Sequence, residues 1–441
     1  YVAGGTYTGT GAAVITVTRS ITLYGGWDGA ASGPVVRDPD AHPTTLDGEG
    51  ARRVVHISGD ITPTLNGFII ARGNGTGLVA DCYGPAGNPD GCGGGIFVYQ
   101  AHPLIVNNVI TNNVAAITTA GYPTSTTGYG GGMYLRDADR AVISGNVIIS
   151  NVASTANDGM GGGICLFGTG SGLVVQANQV LSNVAAQSTG WGGGIAGGPD
   201  GALIRGNLLE GNRTSATGGG YGAGLYQWYG SAEYRDNIVR GNTGAHAVYL
   251  GYSRSPFEGN RVVDNATRAG VYLANGPGPT LVNNVVARSA SNLYTICARA
   301  YAGAPLNATL LQNTLVGSGS GSGVYIETGY VTLSLTNNII VSHVWGITNT
   351  VPASSAVFAD HTLFWGNTQN GITGNHPILG DPRLASDGYH LGPGSAAIDA
   401  GVDAGVTVDI DGDPRPIGAG YDIGADEYVA RVYLPLVLRN Y

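Results

Sequence analysis

Two short stretches carry the residue types that acid–base chemistry needs: Arg136, Asp137, Asp139 and Arg140, and further on Glu233, Arg235 and Asp236. A carboxylate beside an arginine can move a proton or help hold a cation. The same residues read equally as solvated turns whose charges pair among themselves. Neither stretch concentrates carboxylates as strong acid–base sites do, so no catalytic residue is assigned. Asp409, Asp411 and Asp413 alternate as the opening of a calcium loop does. Pro414 and Gly420, however, stand where an EF-hand places Gly and Glu. Calcium is therefore the one cofactor these residues suggest, with a turn stabilised by Arg415 as the alternative. The eight histidines, among them His56, His102, His246 and His390, show no pair at zinc-ligand spacing.

Composition removes whole classes of function. All 20 basic residues are Arg, so Schiff-base lysines and a P-loop are excluded. A net charge of -9 with only 11% charged residues argues against nucleic acid as a partner. No apolar run is long enough to span a membrane as a helix. The 76 glycines lack the period of collagen, and 43% hydrophobic residues, rich in Val and Ile, can fill a large core. Cys82 and Cys92 flank a Gly/Pro-rich loop and suit a local disulfide in an oxidising compartment, whereas Cys165 and Cys297 sit in strand-like runs as unpaired packing residues.

The elements that must position any site come from an internal repeat. Gly93-Gly94-Gly95-Ile96-Phe97-Val98, followed by Leu104 to Asn113, returns as Gly130-Gly131-Gly132-Met133-Tyr134-Leu135, followed by Val142 to Asn151, and again from Gly161, Gly192 and Gly222. Each repeat is anchored by an Asn: Asn108, Asn146, Asn178, Asn207, Asn237, Asn260, Asn284, Asn313 and Asn338. Six carry a second Asn five positions on, at Asn113, Asn151, Asn183, Asn212, Asn242 and Asn265. Two Asn columns at fixed offset must stack in space. Three short strands per repeat, period-two alternation and no helical pattern predict an all-β chain wound as a parallel β-helix. Asn amides then bond along the stack, at corners whose left-handed conformation Asn tolerates. About twelve coils at roughly 4.8 Å each give a cylinder of about 55 to 60 Å.

The residue after the inward aliphatic of each first strand forms a column of its own: Phe97, Tyr134, Cys165, Ala196, Tyr226, Tyr249, Tyr272 and Tyr325. Alternation places it outside the cylinder, where an aromatic stripe suits saccharide stacking or contact with another chain. The alternative is that strand tyrosines simply stack on one another. Asn74, Asn212, Asn265 and Asn307 open Asn-x-Ser/Thr sequons, which matter only in a glycosylating host.

These repeats resemble those of secreted bacterial proteins with a right-handed parallel β-helix of the pectate-lyase-like fold. The stretch from Tyr389 through Gly394-Ser395-Ala396-Ala397-Ile398-Asp399, Asp409 to Pro416 and Tyr421-Asp422-Ile423-Gly424-Ala425-Asp426-Glu427 is similar to the choice-of-anchor module that closes many such surface proteins. The resemblance implies secretion and display at the cell surface, with no catalytic residue carried over. Residues 381–427 hold ten of the 29 acidic residues. The chain thus divides into a β-helix over 1–350, a closing cap over 351–428 and an apolar tail strand over 429–441. Val432, Leu434, Leu436 and Leu438 of the tail suit addition to the open N-terminal coil of a second copy. The expected function is a non-catalytic structural or adhesive surface protein that self-associates head to tail or binds a polysaccharide. A polysaccharide lyase or hydrolase working along the coil face is the alternative.

Overall fold

The computed structural model describes residues 1–430 except 79–81, 83–89, 118–126, 156, 218 and 288–292. All of its regular structure is strand, and within each face every strand pair is parallel. A typical coil runs Leu104–Val106, Val109–Thr111, Val114–Ala116, then Met133–Arg136 before the next coil begins at Val142. Stacked coils make three faces. The face containing Val109–Thr111 has 14 strands and that containing Leu104–Val106 has 12; we call them the first and second faces. The third, of 17 strands, receives two segments from many coils.

Alternation does what the pattern predicts. Ile105, Ile143, Val175 and Ile204 stack in register on the second face, and Ile110, Ile148, Val180 and Leu209 on the first. All are fully buried in one core running the length of the cylinder. At the two corners the asparagines are buried and fully bonded. Asn178 Nδ2 donates to Asn207 Oδ1 (3.0 Å) and to the Ile143 carbonyl (2.9 Å), while its Oδ1 accepts from Asn146 N (3.0 Å) and Nδ2 (2.9 Å). The first ladder is unbroken from Asn108 to Asn338, and the second runs from Asn113 to Asn265. The left-handed residue is not the ladder Asn but the one before it, such as Asn107, Ala177 or Gln312. The ladder Asn is selected for its amide. Asn212 and Asn265 are thereby committed to the core, and only Asn74 and Asn307 present their sequons near the surface.

Three expectations change. First, the coil is not just three strands: after Asn74, Ala116, Ser154, Ala186 and Ser215 the chain leaves the third face and returns through the glycine run. On the way it adds Gly91–Cys92, Gly128–Tyr129, Asp158–Met160, Thr189–Trp191 and Gly219–Tyr221 to a five-stranded outer sheet. A Cβ on Gly91, Gly128, Gly159 or Gly190 would collide with a carbonyl of the third face beneath it, which is why the outer sheet can lie so close. Second, this sheet covers the earlier part of the outward aromatic column. Phe97 and Tyr134 are sealed with Cys165 and Cys92, and Tyr226, Tyr249 and Tyr272 are also buried, so the stripe lies outside the cylinder without being an exposed stripe. Only Tyr325 of the column is half-buried.

Third, coiling continues past residue 350 through Ala356–Asp360, Leu363–Trp365, Gln369–Gly371 and Ile378–Leu379. The boundary therefore moves to about residue 380. The loop-rich segment beyond it lies along the flank of the first face. From Val285 onward the outward positions of that face become buried, and Val285, Ile339, Val341 and Leu363 pack under Tyr389, Leu391, Ala397 and Ile423. Asn337 bonds Val402, Thr314 Oγ1 accepts from Ala425 N–H, and Arg261 covers the Tyr389 ring. The tail residues Val432, Leu434, Leu436 and Leu438 lie outside the described residues.

Replacing Asn178 by Ala takes the side-chain partner from the buried Asn146 N–H and Ile143 carbonyl of the preceding coil, and is expected to cost roughly 2–4 kcal/mol. Urea unfolding should show it, with the exposed Gln179→Ala changing stability by less than about 0.5 kcal/mol. Gly159→Val should lift the outer sheet and make Cys165 react with a thiol reagent that leaves the native protein untouched.

Candidate functional site

The outer sheet ends at Tyr221, and from Thr243–Ser253 onward each coil crosses the third face in one continuous strand. The step this leaves is lined with rings. Tyr226, Tyr249 and Tyr272 are register partners with centroids 5.1 and 5.4 Å apart. Tyr221 and Trp191 of the outer sheet stand against them. Below, His246 stacks on Tyr221 at 5.4 Å and lies tilted 4.1 Å from Tyr272. Burial, with the positive Arg268 nearby, lowers its pKa to about 3, so its ring stays neutral and packs as an aromatic.

Trp228 projects from the strand Leu225–Gly230. Its neighbour Gln227 is buried and bonded to the Gly198 and Tyr229 carbonyls and to Tyr234, which anchors the strand. Its register partner on the next coil is Gly251, whose missing side chain lets the indole lie across that coil. The indole is 38% exposed and divides two cavities. One, of about 460 Å³, reaches toward Asn275, Arg299 and Tyr301. The other, of about 540 Å³, runs over Gly197, Gly198 and Pro199 to Asp200 and Tyr229. Both share Met160, Tyr226 and Trp228, so they form one groove with the indole at its centre.

Polar atoms converge on this apolar floor. Asn275 is 5% exposed, yet its Oδ1 has no hydrogen-bond partner among the described residues, and neither has Arg299 Nε. Arg299 also bonds the Tyr301 hydroxyl and sits 4.8 Å over that ring. Beyond them Glu327 accepts from Tyr272 Oη (2.8 Å) and Arg268 (2.8 Å), and at the opposite end Asp200 accepts from Ser231 Oγ (2.8 Å). Aromatic faces with a buried carbonyl oxygen and a guanidinium can hold a ring that is apolar on its faces and hydroxylated at its edge.

The charge clusters singled out from sequence lie elsewhere. Asp137 and Asp139 accept backbone N–H groups of the next coil from Thr169 (3.0 Å) and Ser171 (2.9 Å), Arg136 pairs with Asp137, and Arg140 is exposed. Arg235 sits between Glu233 (3.0 Å) and Glu258 (2.7 Å), with Asp236 beside a shallow cavity under Asp411. Asp409 spends its carboxylate on the N–H groups of Asp411, Asp413 and Glu427, whereas Asp411 faces His390 and Arg261. Cys82 and Cys92 form a disulfide. Contrary to the histidine spacing, His361 and His376 meet at Asp360.

Of the rings that line the groove, Tyr226, Tyr249 and Tyr272 belong to the column singled out from sequence, whereas Trp191, Tyr221, Trp228, Tyr229 and Tyr301 do not. One signal existed: Tyr226-Gln227-Trp228-Tyr229 stands where the preceding coil reads Ala196-Gly197-Gly198.

Comparison with known proteins bears on the fold. A search of curated proteins gave no match. Among solved structures, a tailspike protein double mutant of E. coli bacteriophage HK620 in complex with pentasaccharide is similar at 13% identity over 83% of this chain and 71% of that one, with a TM-score of 0.34. Pectate lyase Pel9A aligns at 11% identity over 93% and 97%, TM-score 0.34. The mannuronan C-5 epimerase AlgE4 A-module of Azotobacter vinelandii aligns at 11% over 76% and 90%, TM-score 0.32. The family model described as right handed beta helix region matches residues 55–262 and 190–375, most of the chain. With its parallel faces and stacked coils, the chain belongs to the right-handed β-helix family.

Proposed function

We propose that the protein binds a carbohydrate chain in the groove centred on Trp228, as a non-catalytic adhesive protein of the cell exterior. The observation that carries this is the half-exposed indole between two cavities, with the buried Asn275 carbonyl lacking a donor beside it among the described residues. A buried acceptor without a partner is costly, and a sugar hydroxyl is a donor of the right size. The sugar's C–H face meets the indole while Arg299 supplies donors at the rim. The two cavities on either side of Trp228 suit a chain of several sugars rather than a single one.

Titrating the protein with a panel of neutral and acidic oligosaccharides, followed by tryptophan fluorescence and calorimetry, should find at least one saturable ligand. Trp228→Ala should weaken it about tenfold or more, a loss of ~1.4 kcal/mol. Asn275→Ala should weaken it severalfold with thermal stability unchanged or raised, since it removes an unsatisfied group. A panel with no binder, or a Trp228→Ala variant that binds as the native protein does, contradicts the reading. New reducing ends or unsaturated products in the same mixtures would replace adhesion by chain cleavage.

A further inference from the structure

The loop-rich segment along the first face carries a cluster that the groove does not use. We propose that His390, Asp411 and Asp426 bind a divalent transition-metal ion of the zinc class. One ligand atom from each lies within 4.8 Å of the other two. His390 Nε2 and Asp411 Oδ2 are 3.0 Å apart. Ligand atoms about 2.1 Å from a tetrahedral zinc ion stand roughly 3.4 Å from one another, so a small outward movement admits the ion. On the other side of the ring His390 Nδ1 meets Asp387 Oδ2 at 2.5 Å. A carboxylate there holds the proton on Nδ1 and leaves the Nε2 lone pair for a metal, the outer-shell arrangement of zinc-bound imidazoles.

Asp426 supplies the independent observation. It is 5% exposed and lines a cavity of about 470 Å³ bordered also by Asp387, His390 and Asp413. Among the described residues its carboxylate accepts one hydrogen bond, from Leu391 N–H to Oδ2 (2.7 Å), and forms no ion pair. Oδ1 of this carboxylate has no donor among the described residues and opens on the cavity, where a cation can be held against it. Asp411 keeps Oδ1 on Arg261 (3.1 Å), and its Oδ2, paired with His390 Nε2 (3.0 Å), turns to the ion as the Nε2 proton leaves to solvent. One imidazole with carboxylates suits zinc better than calcium, which prefers all-oxygen shells. The ion ties the loop carrying His390 to the loops carrying Asp411 and Asp426.

The test is calorimetric titration of the EDTA-treated full chain with zinc chloride at neutral pH. One saturable site is expected, lost in His390→Ala and weakened about tenfold or more in Asp387→Asn. It should persist in His376→Ala, which dismantles the separate Asp360, His361 and His376 cluster. Circular dichroism confirms that each variant is folded; should His390→Ala not fold, Asp387→Asn decides alone. Absence of saturable zinc binding overturns the proposal. So does binding that disappears with His376 rather than His390, native affinity in Asp387→Asn, or calcium bound as tightly as zinc.

Discussion

A coil of this chain has no core of its own: its few inward side chains are buried only when another coil lies on it in register. The two buried asparagine ladders enforce that register. Every ladder amide inside the two stacks has its donors and acceptors satisfied by the coils on either side, so a slip of one residue would strand buried polar groups at both corners and turn the inward aliphatics outward. Once register is held, identical positions stack, and properties of the whole molecule become properties of columns. A column of Ile and Val is a core, and a column of tyrosines is a ring stack.

The groove is a consequence of stacking that stops. While the excursions last, an outer sheet seals the outward column, with glycines where its strands touch the third face. Where they stop after Tyr221, the same column runs out from under its cover and leaves a step walled by aromatics. The far flank is treated differently: from Val285 onward outward apolar residues accept the loop-rich C-terminal segment. That segment has little sheet, so its carboxylates take over the work of backbone acceptors. Asp422 receives the N–H groups of Asp399 and Tyr428, and Glu427 those of Ile417 and Asp422 along with the buried Arg415. The acidic richness of residues 381–427 is therefore largely structural. Among the buried carboxylates of that segment Asp426 stands apart, accepting a single N–H and forming no ion pair among the described residues.

The coil, its faces and both ladders were legible because they depend on period and repetition, which a single sequence displays. The Asn columns named the corners and the aliphatics named the core. What was not legible depends on where inserted chain goes. Nothing in Gly128-Tyr129 or Asp158-Gly159-Met160 announces that these residues fold back over Tyr134 and Cys165, so a column outside the cylinder was read as a column in solvent. The same limit hid the groove, since the coils of Trp228 and Tyr301 are separated by those of Thr243–Ser253 and Ala266–Ala274 and share a groove only after winding. The meeting of His361 with His376, and of His390 with Asp411 and Asp426, is likewise tertiary.

Whether the step beside Trp228 receives a sugar is tested most directly by a crystal structure with the tightest-binding oligosaccharide. A pyranose ring stacked about 4 Å from the Trp228 indole is expected, with a hydroxyl donating to Asn275 Oδ1. A ligand bound on another face of the coil, with the Trp228 groove holding only water, would contradict it.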